Sequence, residues 1–217
     1  MTLAADSFSP SATLDADLEA LLVWRRDVRH FDRRRIAEAE LERLFALAQL
    51  APSVGNAQPW RFVRLRSPAL RMMLAEHVDA AARQAGEAYG KEERATLYAS
   101  LKLHGLREAP EIVAVFSDET PVEGHGLGIA TMPEALRYST VLAIHTLWLA
   151  AQSRGIGLGW VSILEPGRVS ALLDVPEHWH FIALLCLGYP EVPSDIPELE
   201  RRGWQARQDW RANVSER

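Results

Sequence analysis

The chain has 217 residues and an apolar share of 48%, enough for one domain with an ordinary core. A net charge of −5 leaves no basic footprint for nucleic acid, and a single cysteine, Cys186, excludes an intrachain disulfide. No uncharged run reaches membrane-spanning length and residues 1–6 lack the basic-then-apolar order of a signal peptide, so a cytoplasmic protein without a membrane or nucleic-acid partner is expected.

Residues 1–13 are small and polar and are expected to be flexible, with one domain over 14–217. From 14 to 24, Leu14, Leu18, Leu21 and Leu22 recur at helical spacing, and acids fall early, where the helix dipole favours them. Next comes Trp24-Arg25-Arg26-Asp27-Val28-Arg29-His30-Phe31. Planar guanidinium donors that cannot titrate away suit a phosphate, whereas an acid among them would repel it. The segment therefore reads as an anion clamp with one acid turned towards chemistry; taken alone, the arginines read equally as a solvated basic helix end.

Residues 36–50 form a second predicted helix with Ile36, Leu41, Leu44, Phe45, Leu47 and Ala48 inward. It is broken by Ala51-Pro52-Ser53-Val54-Gly55-Asn56-Ala57-Gln58-Pro59-Trp60, a turn able to present amides and side-chain donors, or simply a helix stop. A strand is expected over 60–65. Residues 68–100 read as an alanine-rich, charged helical excursion interrupted by Gly86 and Gly90, a lid rather than core. A buried strand over 111–116 and a glycine-rich loop over 120–133 follow. The helix predicted over 138–154 is apolar around most of its circumference (Val141, Leu142, Ile144, Leu147, Trp148, Leu149), which calls for burial on all sides, within the domain or against a second subunit. Residues 155–159 are expected to turn, 160–163 to begin a strand, 166–173 to be helical and 181–187 to be a core strand that holds Cys186 as a packed thiol. Residues 190–210 are charged and coreless, a tail fit to wrap another surface. The seven histidines show no metal-ligand spacing; His178 and His180 read as structural residues before a strand, and Asp118 and Glu119 as loop acids with no partner in view. Helices and strands alternate without a βαβαβ run, which makes the fold class α+β.

Three segments stand out in order: Arg25-Arg26-Asp27-Val28-Arg29, the 51–60 turn, and Gly155-Ile156-Gly157-Leu158-Gly159-Trp160-Val161-Ser162. Together they resemble the FMN-dependent nitroreductase superfamily, and within it the BluB-type 5,6-dimethylbenzimidazole synthases. Further marks of that group are Ser100-Leu101-Lys102-Leu103-His104-Gly105-Leu106-Arg107-Glu108-Ala109-Pro110, Tyr138-Ser139-Thr140-Val141, Leu147-Trp148-Leu149-Ala150-Ala151 and Pro197-Glu198-Leu199-Glu200-Arg201-Arg202-Gly203-Trp204. The likeness runs from about Leu14 to Gln208. Two places depart from the group: Asn56-Ala57 stands where an aromatic and a methionine are usual, and Ala135-Leu136 where methionine and aspartate are usual.

The resemblance implies a nitroreductase-like fold: a central mixed or antiparallel sheet flanked by helices, a helical lid over 68–105 and a tail over 190–217 that wraps the partner of a homodimer. It implies FMN contacts from Arg25, Arg26, Asp27, Arg29, Ser53, Asn56, Gln58, Lys102, Ser139, Gly159, Trp160, Val161, Ser162 and Arg207. Read singly, Lys102 and Arg207 are surface charges, and Gly157 and Gly159 equally a tight turn. In the synthase group reduced FMN is the substrate, supplied by a separate flavin reductase and broken down with molecular oxygen, without a metal, to 5,6-dimethylbenzimidazole and a phosphorylated four-carbon sugar. General nitroreductases commonly carry serine at the position of Asp27. An acid there implies proton traffic, so Asp27 is assigned as general base and acid and Ser162 as a proton relay or positioning hydroxyl. The bland alternatives are a salt bridge from Asp27 to Arg25 or Arg29 and a strand hydroxyl at Ser162. Neighbouring arginines would lower the Asp27 pKa and burial would raise it. The competing functions are an NAD(P)H-dependent nitro or quinone reductase and a non-catalytic flavin carrier.

Overall fold

Strand β5 (Trp179–Pro190) organises the computed structural model of the protein, which describes residues 11–90 and 93–217. One edge of β5 pairs antiparallel with β3 (Glu111–Asp118), and β3 pairs antiparallel with β2 (Trp60–Arg64). The other edge of β5 is shared by β4 (Gly157–Val161) and by the two-residue β1 (Phe31–Asp32), both antiparallel. Of the two options the sequence left for the sheet, antiparallel pairing prevails; a single parallel bridge joins Asp27 to Leu158.

Both faces of the sheet are apolar, and its two central strands divide their side chains by the period of two. From β3, Ile112, Ala114 and Phe116 face one core with Leu74 and Val78 of α3 (Pro68–Glu87) and Val169 of α6 (Pro166–Leu173). Val113 and Val115 face the other, with Leu41 and Leu44 of α2 (Glu38–Ala48) and Ile144 and Leu147 of α5 (Ala135–Gln152). The result is helices on both faces of one sheet, the α+β class expected. Cys186 is fully buried and apolar surroundings push its thiol up to about 12, so it is a packing group.

The helices begin where capping chemistry predicts. Ser11 caps α1 (Ala12–Trp24) by accepting from the Leu14 amide at 3.1 Å, and Ser67 with Pro68 at the first helical position opens α3. Residues 1–10 of the segment expected to be flexible lie outside the described residues, and Ser11, Ala12 and Thr13 are the cap and first residues of α1.

Several expectations change. The residues 157–159 belong to β4 rather than to a turn, which is confined to Gly155; residues 160 and 161 end that strand rather than begin one. The first half of α3 is core rather than lid, because Leu74, Ala75, His77 and Val78 are buried; the excursion proper is its second half and α4 (Glu93–Ala99). Helix α5 is buried on one side only in this chain, and Tyr138, Val141 and Leu142 are exposed. Asp118 closes β3 and pairs with Arg61 at 2.7 Å, while Glu119 pairs with Arg137 at 2.9 Å. His180 lies within β5, and His178 stands 3.8 Å from Asp118.

The segment after α1 carries Asp27 and its neighbouring arginines. It crosses β4 in the parallel sense, the Val28 amide donating to the Leu158 carbonyl at 3.0 Å. The crossing is so close that a Cβ on Gly159 would stand 2.1 Å from the Val28 carbonyl oxygen, and one on Gly157 would stand 2.6 Å from the Val28 side chain. Backbone cannot move aside as a flexible side chain can. Gly159→Ala is therefore expected to cost on the order of 1–3 kcal/mol by overpacking. Denaturant unfolding of wild type and variant measures it, and an unchanged midpoint would show that the crossing has slack.

Candidate active site at the crossing of the arginine segment and strand β4

Asp27 is seated by backbone. Its Oδ1 accepts from the Trp160 amide at 2.8 Å, and its Oδ2 accepts from Arg29 Nε at 3.0 Å with Arg29 Nη2 also at 3.0 Å. Arg29 is fixed in turn, because Nη1 donates to the Lys102 carbonyl at 3.2 Å. The salt bridge that the sequence offered as the plain alternative thus exists, with Arg29, and it orients the acid. The side chain of Asp27 keeps 30% of its surface open. Burial nonetheless outweighs the attraction of Arg29, the Trp160 amide and Arg25, and holds the Asp27 pKa above its ordinary value. The carboxylate is presented on one side, gripped on the other, and biased towards keeping a proton.

The arginines divide by what their donors already hold. Arg26 is engaged with the backbone carbonyls of Val23, Arg25 and Asp195, tying the tail to the end of α1. Arg25 lies over the Trp148 ring at 4.8 Å, and that indole donates Nε1–H to the Arg26 carbonyl at 3.1 Å, so Trp148 holds the segment from beneath. Arg207 of the tail is exposed, and its charge acts on both Arg25 and Arg26, pulling their pKa values down together with burial. Three like charges held this close call for an anion. Lys102 pairs with Glu108 at 3.3 Å. Among the described residues, Arg25 and Arg207 are the members of the set whose guanidinium donors meet no acceptor.

Gly159, Trp160, Val161 and Ser162 come to the same place. Gly159 makes room for the Val28 carbonyl, Trp160 supplies the amide for Asp27, and Val161 is buried in the core. Ser162 is exposed just past the end of β4, and its hydroxyl has no partner among the described residues. It is two residues beyond Trp160, about 7 Å along an extended chain.

The other predicted residues gather elsewhere. Ser53 Oγ accepts from the Gln58 amide at 3.1 Å, and Ser139 Oγ accepts from the Val54 amide at 3.0 Å while donating to the Ala135 carbonyl at 2.6 Å. Gly55, Asn56 and Gln58 all have positive φ (54°, 57° and 48°), a run that only short or amide side chains tolerate easily. Asn56 and Gln58 face a cleft bounded by the 122–125 stretch of the glycine-rich loop. Within one chain the two groups stay apart. Ser139 and Trp148 mark their places on α5, and nine helical residues separate them by about 14 Å. The exposed side of α5 lies between.

Trp148 and Gln49 brace the candidate site through contacts that the sequence reading did not assign to them. Gln49 accepts from Trp60 Nε1 at 2.9 Å and donates to the Gln58 side chain, bracing the turn from α2. The apolar periodicity that marked Trp148 as core hid its indole N–H, which is the part that reaches Arg26.

The likeness to known proteins agrees with this geometry. Residues 22–189 match the nitroreductase family. The 5,6-dimethylbenzimidazole synthase of Rhodospirillum rubrum is 58% identical over 193 residues, 88% of this chain and 90% of that protein; the synthase of Rhodobacter capsulatus is 52% identical over 87% of this chain and 90% of its own length. Among solved structures, an iodotyrosine deiodinase bound to FMN and 3-iodo-L-tyrosine superposes with a TM-score of 0.68 at 25% identity, over 82% of this chain and 91% of that one. The chain belongs to the nitroreductase family and, within it, to the 5,6-dimethylbenzimidazole synthases.

Proposed function

We propose that the substrate is reduced FMN, converted with molecular oxygen to 5,6-dimethylbenzimidazole and a phosphorylated four-carbon sugar, and that the Asp27 carboxylate moves the protons. The observation that carries this reading is the seating of Asp27: an acid fixed by the Trp160 amide and Arg29, open on one side, and raised in pKa by burial. Reduced FMN, when bound, supplies the electrons and the carbon skeleton of the product. The site's surplus of positive charge fits a phosphate, and the free donors of Arg25 and Arg207 support these two as its ligands. Arg26 and Arg29 then act by fixing the segment, and Lys102 by holding Arg29 through its carbonyl. Ser162, with an unpartnered hydroxyl near the acid, supports a relay role. The Ser53, Asn56, Gln58 and Ser139 cluster is suited to a polar ring edge.

Two groups about 14 Å apart on one helix, with its exposed side between them, suit a site shared by two chains. We infer a homodimer around the exposed faces of α5 (Tyr138, Val141, Leu142) and α1 (Leu14, Leu18, Leu22), each flavin lying between chains. The end of α3 with α4 serves as the lid and the segment 190–217 as the tail. In this chain the tail reaches that lid through Trp204, whose ring packs on Tyr89 and Tyr98 at centroid distances of 5.6 and 6.0 Å. A separate flavin reductase supplies the reduced substrate. No helix among the described residues is long and apolar enough to cross a membrane.

Four outcomes are expected. Anaerobic mixing with reduced FMN followed by oxygen should yield dimethylbenzimidazole by mass spectrometry, and Asp27→Asn should yield intact oxidised FMN; equal product from both would remove Asp27 from the chemistry. The raised Asp27 pKa has a stability signature. A group raised in the folded state stabilises the fold fully below its unfolded value of 3.8 and loses that contribution as pH rises through the folded value. Wild type should therefore lose stability relative to Asp27→Asn across that window, and parallel curves of stability against pH would refute the shift. In FMN titrations, Arg25→Gln should weaken binding by roughly 10- to 100-fold, the loss of a charge-assisted bond worth about 1.5–3 kcal/mol. Leu142→Asp should lose both dimer and FMN, and a flavin-saturated monomer would overturn the shared site.

A further inference from the structure

We propose that the cavity between the β1–α2 loop, the start of α3 and residues 106–111 binds an organic phosphomonoester, separately from the flavin. Its volume is about 550 Å³, within the range of small-ligand sites. Three acids line it, and each already has its cation. Glu38 pairs with Arg64 and with Arg66 at 3.1 Å, Glu111 with Arg64 at 2.6 Å, and Glu108 with Lys102 at 3.3 Å. Of the cations lining it, Arg107 is likewise matched, by Asp79 at 2.5 Å.

Arg33, Arg35 and Arg71 remain. None has a carboxylate partner among the described residues. Arg33 and Arg35 are exposed on the loop before α2. Arg71 is half-buried on α3, with two of its donors on the carbonyls of Pro110 and Ala109. Arg71 feels the charge of Glu111, but that carboxylate already pairs with Arg64. A guanidinium cannot shed its proton, so an anion would complete the neutralisation of this half-buried one. The two exposed forks of Arg33 and Arg35, with the donors of Arg71 that the carbonyls leave free, line one opening and match the oxygens of a phosphate. The floor beneath them is apolar, formed by buried Ile36, Leu41, Leu65 and Leu106, which calls for a ligand whose body is apolar or aromatic. Inorganic phosphate would satisfy the rim and leave the floor wet.

The test is calorimetric titration of the full chain with AMP and, separately, with inorganic phosphate. AMP should bind at least about tenfold more tightly than phosphate, and added salt should weaken it. Arg33→Ser combined with Arg35→Ser, both exposed and safe for folding, should weaken AMP about tenfold or more, and Arg71→Gln should do so where its melting curve shows it folded. Arg25→Gln, which addresses the flavin site, should leave AMP binding unchanged. Absence of AMP binding, equal affinity for AMP and phosphate, an unaffected double variant, or loss in Arg25→Gln would each overturn the proposal. Only the last of these bears on the flavin reading, which stands or falls on FMN titration.

Discussion

The site depends on one hydrogen bond, from the Trp160 amide to the Asp27 carboxylate. Where the arginine segment crosses β4, the Val28 amide is satisfied by Leu158 and the Val28 carbonyl is pressed against Gly159. The next inward amide of β4 would lack an acceptor, and a buried unsatisfied N–H costs about 1–3 kcal/mol. The side chain of Asp27 fills that role. Asp27 is therefore placed by the same requirement that completes the sheet, and its geometry is as rigid as β4, which is anchored along β5 over five residue pairs.

Two opposing effects then set its chemistry. Arg29 and the amide favour the charged form; enclosure by the protein disfavours it and wins. An acid with Arg29 alone at the surface would be a permanent anion, and one buried without Arg29 would be a permanent neutral group. The combination yields a carboxyl group able to hold or release a proton. The surrounding cations are equally differentiated. Arg26, Arg29 and Lys102 are engaged by protein acceptors, and Arg25 and Arg207 are not, whereas sequence alone groups Arg25 with Arg26 and Arg29 and leaves Lys102 and Arg207 as surface charges.

Local patterns carried most of the fold. The apolar periodicity of α2 located that helix within a few residues, Pro68 located the start of α3 though not its end, and the run around Cys186 located β5, because each is decided by its own residues. What was not legible depends on residues far apart in the chain. Asp118 gained Arg61 across a sheet, and Arg26 reaches Asp195 at a separation of 169 residues; no spacing rule encodes either. The glycines of β4 read as a turn because glycine signals turns locally, whereas here they exist for a strand that passes beneath another backbone. In the candidate site, residue identities were legible and their division of labour was not, since an occupied donor and a free one share one letter.

The outward face of α5 links the two halves of the site. It exposes Tyr138, Val141 and Leu142 while the opposite face buries Ala143, Ile144 and Leu147, so the all-round apolar character of the sequence answers to two different surfaces. A two-fold axis through that face would pack two copies of α5 with their directions reversed. Reversal sets the Ser139 end of one helix beside the Trp148 end of the other. The spacing of about 14 Å that separates the groups within a chain then becomes the displacement that brings them together between chains. On this reading, burial of the exposed apolar face and assembly of the flavin site are one event, and neither is available to a single copy of the chain.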